Sequence, residues 1–505
     1  MKTLLKKKLA LYPIASFLGI LSSLSLPPYN YFFLNFLVFP FLLFILLNTN
    51  IRIKLFLIGW NFGFGYFLSN LYWITNSLTF DDKFKIIIPF ALILVPSFLA
   101  LFYGLITFLT SFFELKNKIS SIFIFSILFG SVELLRGYIL GGFPWNLTVF
   151  SLTNHLYSIQ ILSFIGTYSL NLLSITVFLI PSIIFFQLKN AFKTIIILSG
   201  LILILINIGY GKYTLDQFRK KNYDDLDFVI RIVSPNIPIE RFLKNQDTKK
   251  NIYSLINLSN PEKSKKTVFI FPEGVVNDIY LNDLKLFKEI FEENYEYNHK
   301  IIFGINNYID GKIYNSLITI DNKADQLFVY NKNKLVPFGE FLPLENFFKK
   351  LGLKKITQGY QSFSPDSKRE IFRLNQLTFL PLICYEIIYS GKLNYNKQNY
   401  DFILNISEDG WFGKSAGLEQ HLSHSIFRSI EEGKNVIRST NNGISAFINP
   451  KGQIIKKITK KGYIENRSFK HVDKTYFASY GNKIFFYFLL FYITLIFFLK
   501  KKENK

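Results

Sequence analysis

Phe379-Leu380-Pro381-Leu382-Ile383 is an apolar run of strand length that leads into Cys384-Tyr385-Glu386, which holds the only thiol in the chain. Two more runs end in the same way. Val268-Phe269-Ile270-Phe271 leads into Pro272-Glu273-Gly274, and Leu327-Phe328-Val329-Tyr330 leads into Asn331-Lys332. Working outward, the β-branched and aromatic content predicts strands at 228–234, 267–271, 300–308, 314–321, 325–331, 377–383, 401–406, 435–438 and 445–449. Helical periodicity at 281–296 and 417–432 is interleaved with them, so the class of this region is α/β. Residues 212–483 are enough to bury a core of their own. In such a sheet, the strand ends and the loops after them bring reacting groups together.

Each of the three residues has a plain reading when taken singly: Cys384 as a small buried hydrophobe, Glu273 and Lys332 as surface charges. Together they form a chemical set. A thiol needs a base to become the nucleophilic thiolate, and a carboxylate serves where no histidine is placed to do so. Glu273 suits that role. Attack on a carbonyl puts negative charge on oxygen, which calls for a fixed cation or N–H donors nearby. Lys332 supplies the charge, with the backbone N–H of Tyr385 as a second donor.

The rest of the chain reads as membrane. Half of its 505 residues are apolar, 57 of them Phe. Stretches able to cross a bilayer occur at 9–26, 31–48, 53–75, 86–112, 119–140, 157–186, 194–211 and 484–499. Lys6, Lys7 and Lys8 precede the first stretch as in a signal peptide, but no small-residue cleavage pattern follows Leu26, and Pro27-Pro28-Tyr29-Asn30 reads as a turn into a second helix. Lysine and arginine collect in alternate loops: Lys2, Lys6, Lys7 and Lys8, then Arg52 and Lys54, then Lys116 and Lys118, then Lys189 and Lys193. Cytoplasmic loops retain such residues, so seven spans (1–211) deliver 212–483 to the outer side. The last helix and tail (484–505) then return Lys500, Lys501, Lys502 and Lys505 to the cytoplasm.

The net charge of +23 is spread through the chain and punctuates apolar blocks, which favours anionic lipid headgroups over nucleic acid. One cysteine allows neither an intrachain disulfide nor a multi-thiolate zinc site. His421 and His424, beside Glu419, lack a third ligand and read as ordinary helix histidines, so neither metal nor cofactor is expected.

The motifs as a whole resemble the nitrilase superfamily, in particular its membrane-embedded branch, the apolipoprotein N-acyltransferases. The resemblance runs through Phe271-Pro272-Glu273, Tyr330-Asn331-Lys332-Asn333-Lys334-Leu335-Val336-Pro337-Phe338-Gly339-Glu340 and Ile383-Cys384-Tyr385-Glu386. It continues in Asp409-Gly410-Trp411-Phe412-Gly413 and Arg438-Ser439-Thr440-Asn441-Asn442-Gly443, and in the membrane half in Glu133-Leu134-Leu135-Arg136-Gly137 with Gly142-Phe143-Pro144-Trp145. It implies a polytopic helical membrane domain plus an α-β-β-α sandwich on the periplasmic face of a bacterial inner membrane, acting as a monomer. It also implies a ping-pong reaction. Cys384 takes an acyl chain from a phospholipid, typically phosphatidylethanolamine, and passes it to the α-amine of an S-diacylglyceryl cysteine at a lipoprotein's N-terminus. Glu273 acts as base and then acid, Lys332 stabilises the tetrahedral intermediates, Glu340 orients the lysine or assists the base, and Tyr385 and Glu386 support the site. Three places depart from the family pattern. Glu408 precedes Asp409 where Asn is usual, Phe242 and Leu243 follow Asn236-Ile237-Pro238 where a Trp is usual, and Asn146-Leu147-Thr148 follows Trp145. None falls on Glu273, Lys332 or Cys384.

Two other functions share parts of this pattern. A membrane-tethered amidase or nitrilase would pass the thioester to water, but has no need of seven spans. A polytopic transporter would carry intramembrane charges, of which Glu133 and Arg136 stand out; their i, i+3 spacing favours an ion pair that fixes helix packing over direct lipid binding.

Overall fold

The computed structural model describes residues 10–113, 115–242, 247–343, 362–374, 376–394 and 398–503; Lys2, Lys6, Lys7, Lys8, Leu243 and Lys505 lie outside them. The chain divides into two compact units, Met1–Thr75 with Ile87–Arg219 and Thr475–Lys505, and Asn76–Ile86 with Lys220–Lys474.

The first unit is helical. Among the described residues, five helices are long and apolar enough to cross a membrane: Ile88–Phe112, Ile119–Arg136, Leu162–Phe185, Asn190–Lys220 and Lys483–Glu503. Leu11–Ser23 and Phe32–Leu47 are shorter apolar helices, and Arg52–Leu71 packs beside them as a helix of 20 residues. Glu133 and Arg136 are both about 1% exposed and pair at 3.0 Å. Glu133 also accepts from Tyr103 Oη at 3.0 Å and from Asn171 Nδ2 at 2.8 Å, so its two oxygens tie three helices together. Arg136 donates to the Phe143 carbonyl and lies over the Phe67 ring. These partners make the pair a helix-packing lock, since a buried charge is tolerated where it is paired and hydrogen-bonded.

The second unit carries two sheets. Its strands are β1 (Asp224–Ser234), β2 (Thr267–Ile270), β3 (Val276–Tyr280), β4 (Lys300–Ile309), β5 (Lys312–Ile320), β6 (Gln326–Asn331), β7 (Phe372–Leu374), β8 (Leu377–Ile383), β9 (Phe402–Glu408), β10 (Asn435–Asn441), β11 (Ser445–Ile448), β12 (Ile454–Ile458) and β13 (Gly462–Phe469). One sheet runs β13-β1-β2-β4-β5-β6 with β3 beside β4, the other β12-β11-β10-β9-β8-β7. The centre of each is parallel, β1-β2-β4 and β8-β9-β10, and parallel strands are covered on both faces. Helix Thr248–Ser259 supplies Ile252, Leu255 and Ile256 to a core with Phe269, Phe271, Ile301 and Phe303 on the first sheet. Helix Gly417–Glu432 is buried almost all round on the second-sheet side. Between the sheets, Ser439 Oγ of β10 donates toward the carbonyls of Val233 and Ile270 at 3.4 and 3.2 Å. The layers are thus the predicted α-β-β-α.

β3, β7, β12, β13 and helix Thr248–Ser259 add to the expected elements, and three of the expected ones differ in form or extent. The helix expected at 281–296 is a 3-10 segment, Leu281–Phe287, followed by Lys288–Asn294, because Asp283 folds back onto the Tyr280 N–H and tightens the first turns. β1 starts four residues early, as pairing of Asp224 with Phe469 extends it past its apolar run. β10 continues to Asn441, since its polar residues pair with β9 up to Glu408.

Candidate active site

Glu273 follows β2, where the ladder continues for two residues: Phe271 N–H donates to Ile302 at 2.8 Å and Gly304 N–H to Pro272 at 3.1 Å. A side chain at Gly304 would meet Glu273 Cα at 2.7 Å, so only glycine lets the Glu273 turn lie this close to β4. Lys332 follows β6, its N–H bonded to the Asn315 carbonyl at 2.9 Å. Glu340 sits in the turn after Val336, whose N–H donates to Glu340 Oε2 at 2.8 Å. These elements bring three charged groups into contact. The Lys332 ammonium lies 3.2 Å from Glu273 Oε1 and 2.8 Å from Glu340 Oε1. Asn315 of β5 bridges the same two oxygens through Nδ2, at 2.7 and 2.8 Å. The other Glu273 oxygen accepts the main-chain N–H of Glu408 at 2.8 Å. Burial alone would depress the Lys332 ammonium, but Glu273 and then Glu340 outweigh it and hold the group well above the ordinary lysine value. Lys332 therefore keeps its charge at neutral pH.

Cys384 follows β8 and opens the 3-10 turn Cys384–Ile388, with φ at +51°. That conformation is strained for a residue other than glycine, by about 1–2 kcal/mol, and is held from both sides. Ile383 N–H donates to Glu386 Oε2 at 2.8 Å, and Asn405 Nδ2 points at the Cys384 carbonyl at 3.5 Å. Burial, and then the Glu273 charge, push the thiol well above its ordinary range, while Lys332 pulls the other way. The resting thiol is therefore protonated near neutral pH and needs a base to become a nucleophile.

Glu386 is a brace between loops. It accepts from Tyr330 Oη at 2.7 Å, from Arg369 at 2.6 Å, and from the N–H groups of Asn333 and Lys334 at 3.0 and 3.2 Å, besides Ile383. It thereby ties the Lys332 loop to the Cys384 turn. Tyr385 is buried, its ring edge-on to Tyr389 at 5.5 Å, and its N–H belongs to the first turn after Cys384. Behind the thiol lies a second buried group. Asp409 accepts from Ser407 at 2.7 Å, from His421 Nδ1 at 3.0 Å and from Arg438 at 2.8 Å. Burial opposes its ionisation, yet Arg438 and His421 hold Asp409 well below the usual carboxylate range. His421 itself is lowered by burial and by Arg438, which makes it a neutral hydrogen-bonding partner.

Sequence reasoning did not single out Asn315, Tyr330, Arg369 or Arg241. The signal for Asn315 was a polar residue inside the strand expected at 314–321; its partners, Glu273 after β2 and Glu340 after β6, are too distant in sequence to read.

Two family models match the chain: the apolipoprotein N-acyltransferase N-terminal domain over residues 18–180, and carbon-nitrogen hydrolase over residues 253–463. A curated apolipoprotein N-acyltransferase from Rickettsia prowazekii is 32% identical, across 93% of this chain and 94% of its own. One from Brucella melitensis is 30% identical, across 87% of this chain and 86% of its own. Among solved structures, a CN-hydrolase superfamily protein from Xanthomonas campestris aligns with 12% identity and a TM-score of 0.35, over 48% of this chain and 91% of its own.

Proposed function

This chain belongs to the apolipoprotein N-acyltransferase family, and from that premise we propose that Cys384, Glu273 and Lys332 carry out its acyl transfer. The enzyme is a membrane-associated N-acyltransferase of lipoprotein maturation. In the first half-reaction Glu273 takes the Cys384 proton as the sulfur adds to the ester carbonyl of a phospholipid. The oxyanion faces the Lys332 ammonium and the Tyr385 N–H. Collapse breaks the ester C–O bond, Glu273 returns the proton to the leaving oxygen, and a lysophospholipid departs from the acyl-thioester enzyme. In the second half, the α-amine of an S-diacylglyceryl cysteine adds to the thioester. Glu273 takes the amine proton, the C–S bond breaks, and the proton returns to sulfur. Thioesters suit this relay because sulfur leaves readily to an amine nucleophile.

The observation that supports this reading most is Lys332, buried to 1% exposure and held between Glu273 and Glu340 beside a thiol its charge reaches. A lysine so held is a fixed charge that costs no reorganisation when an oxyanion forms. Glu340 orients it, and Glu386 fixes the loops. We also propose phosphatidylethanolamine as donor, a monomeric enzyme, seven spans over 1–211, and a periplasmic catalytic domain at 212–483 closed by a last helix in a bacterial inner membrane. The loop lysines support that orientation.

The test is incubation of the purified chain with isotopically labelled phosphatidylethanolamine and a diacylated lipopeptide, with mass analysis of both. Triacylated lipopeptide and lysophospholipid should form in equal amounts. Free fatty acid in place of the triacylated product would overturn acyl transfer in favour of hydrolysis.

A further inference from the structure

Glu273 is held at Oε1 by Lys332 and Asn315, but at Oε2 by the main-chain N–H of Glu408 at 2.8 Å. The position of that N–H depends on the Glu408 side chain. Its Oε1 accepts from Gly410 N–H at 2.8 Å, and its Oε2 accepts from Asn441 Nδ2 at 2.8 Å and from Arg241 Nη2. Arg241, on the segment after Pro238, also donates through Nε to the Gly274 carbonyl at 3.1 Å and through Nη1 toward the carbonyls of Ile237 and Pro238. One guanidinium thus grips the residue next to Glu273 and also the residue whose amide holds Glu273. The two side chains are 0% and 2% exposed. The plane of Arg241 is fixed in turn: it lies over the Phe242 ring at 4.2 Å, Phe242 stacks on Trp411 at 5.5 Å, and Trp411 meets Phe80 edge-on at 5.9 Å.

We propose that Arg241 and Glu408 are a matched pair of positioning residues for Glu273, so that neither can be changed alone without slowing the acylation of Cys384. Glu408 is the carboxylate that stands where the family resemblance leads one to expect Asn. An added carboxylate beside the base is tolerable only with a cation of its own, and Arg241 provides it. A planar guanidinium suits the task because it donates in several fixed directions at once, which an ammonium does not. Burial raises the Glu408 carboxyl, and Arg241 opposes that rise, so the charge on Glu408 depends on its partner. Removing one member leaves a buried charge without its partner, and the loops must move to solvate it. The Glu408 loop holds Glu273 Oε2, and Arg241 holds the carbonyl of Gly274 beside it, so such movement displaces the base. Besides this pair, the charged and titratable groups that face Glu273 are Lys332, Cys384 and, across Asn315, Glu340.

The proposal rests on Glu273 being the base, so Glu273→Gln is the control. Single-turnover acylation of Cys384 by phosphatidylethanolamine vesicles is followed by intact mass for the full chain and for Arg241→Met, Glu408→Gln and the double variant. The amplitude reports how much enzyme is folded; the rate constant of the competent fraction does not respond to folding. Each single variant should slow the rate constant by about tenfold or more, as expected for a misplaced catalytic group. Half-saturation by phospholipid should stay within about twofold, because the change does not remove substrate binding. The double variant should be no slower than the slower single. Parent rate constants with reduced amplitude alone, or losses that multiply in the double variant, overturn the pair. If Arg241→Met yields no folded protein, Arg241→Lys carries the test. It keeps the charge but cannot span Gly274 and Glu408, so a slowed rate constant is expected and a parent rate overturns the proposal. Full acylation by Glu273→Gln would instead defeat the assignment of the base.

Discussion

Lys332→Met removes the cation on which the site depends, and its effects on rate and on folding are separable. In the resting enzyme the ammonium compensates two buried carboxylates at 3.2 and 2.8 Å. Leaving a buried charge without its partner costs about 3–5 kcal/mol of stability, reduced where one carboxyl takes up a proton instead. In the proposed transition state the same ammonium faces the developing oxyanion, and loss of such a group costs about 3 kcal/mol. That corresponds to about a hundredfold in rate. The pH sense is fixed by the raised Lys332 value: its stabilising charge is fully present below the ordinary lysine pKa and is lost only as pH rises through the folded value. The cation therefore persists across the neutral range. The assay is single-turnover release of lysophospholipid together with a thermal melt in detergent. Lys332→Met should lose about a hundredfold or more in rate constant. Adding Glu340→Gln should recover much of the melting temperature and none of the rate. A rate constant within about threefold of the parent would refute the oxyanion role and pass it to backbone donors or to Lys334.

Asn315→Leu deletes two hydrogen bonds to carboxylates, each worth about 1.5–3 kcal/mol; acylation should slow while phospholipid half-saturation holds, and an unchanged rate constant would remove Asn315 from the orientation of Glu273. Burial and Glu273 raise the Cys384 thiol, so without substrate its alkylation by iodoacetamide should keep climbing with pH past the ordinary thiol range. A plateau below about pH 8 would contradict a protonated resting thiol. For the topology, alkaline phosphatase fused after residue 215 should be active and after residue 190 inactive, and the reverse pattern would place the catalytic domain in the cytoplasm.

The catalytic strands were legible because each is an apolar run that ends abruptly: β8 spans the expected 377–383, and β2 and β6 stop within a residue of expectation. β10 was seen only as far as Arg438 because Ser439, Thr440 and Asn441 carry no apolar signal. They are buried because Ser445 of the neighbouring β11, and across the sandwich Ile237 and the Val233 and Ile270 carbonyls, answer their polar groups. Glu386 was expected to support the site, but the manner of it, bracing two loops through Tyr330 and Arg369, is not readable from its place two residues after Cys384. The matching of Glu408 by Arg241, 167 residues earlier, was equally hidden. A sequence marks where strands stop, while the pairing of buried charges depends on which strand ends become neighbours.

The central claim is that Cys384 carries the acyl group between donor and acceptor, and the direct measurement is the intact mass of the enzyme incubated with phospholipid alone. One adduct of fatty-acyl mass should accumulate on Cys384, be cleaved by neutral hydroxylamine, and be discharged by a diacylated lipopeptide. Cys384→Ala should show no adduct. Formation of triacylated product by Cys384→Ala at the parent rate would contradict covalent catalysis at this residue.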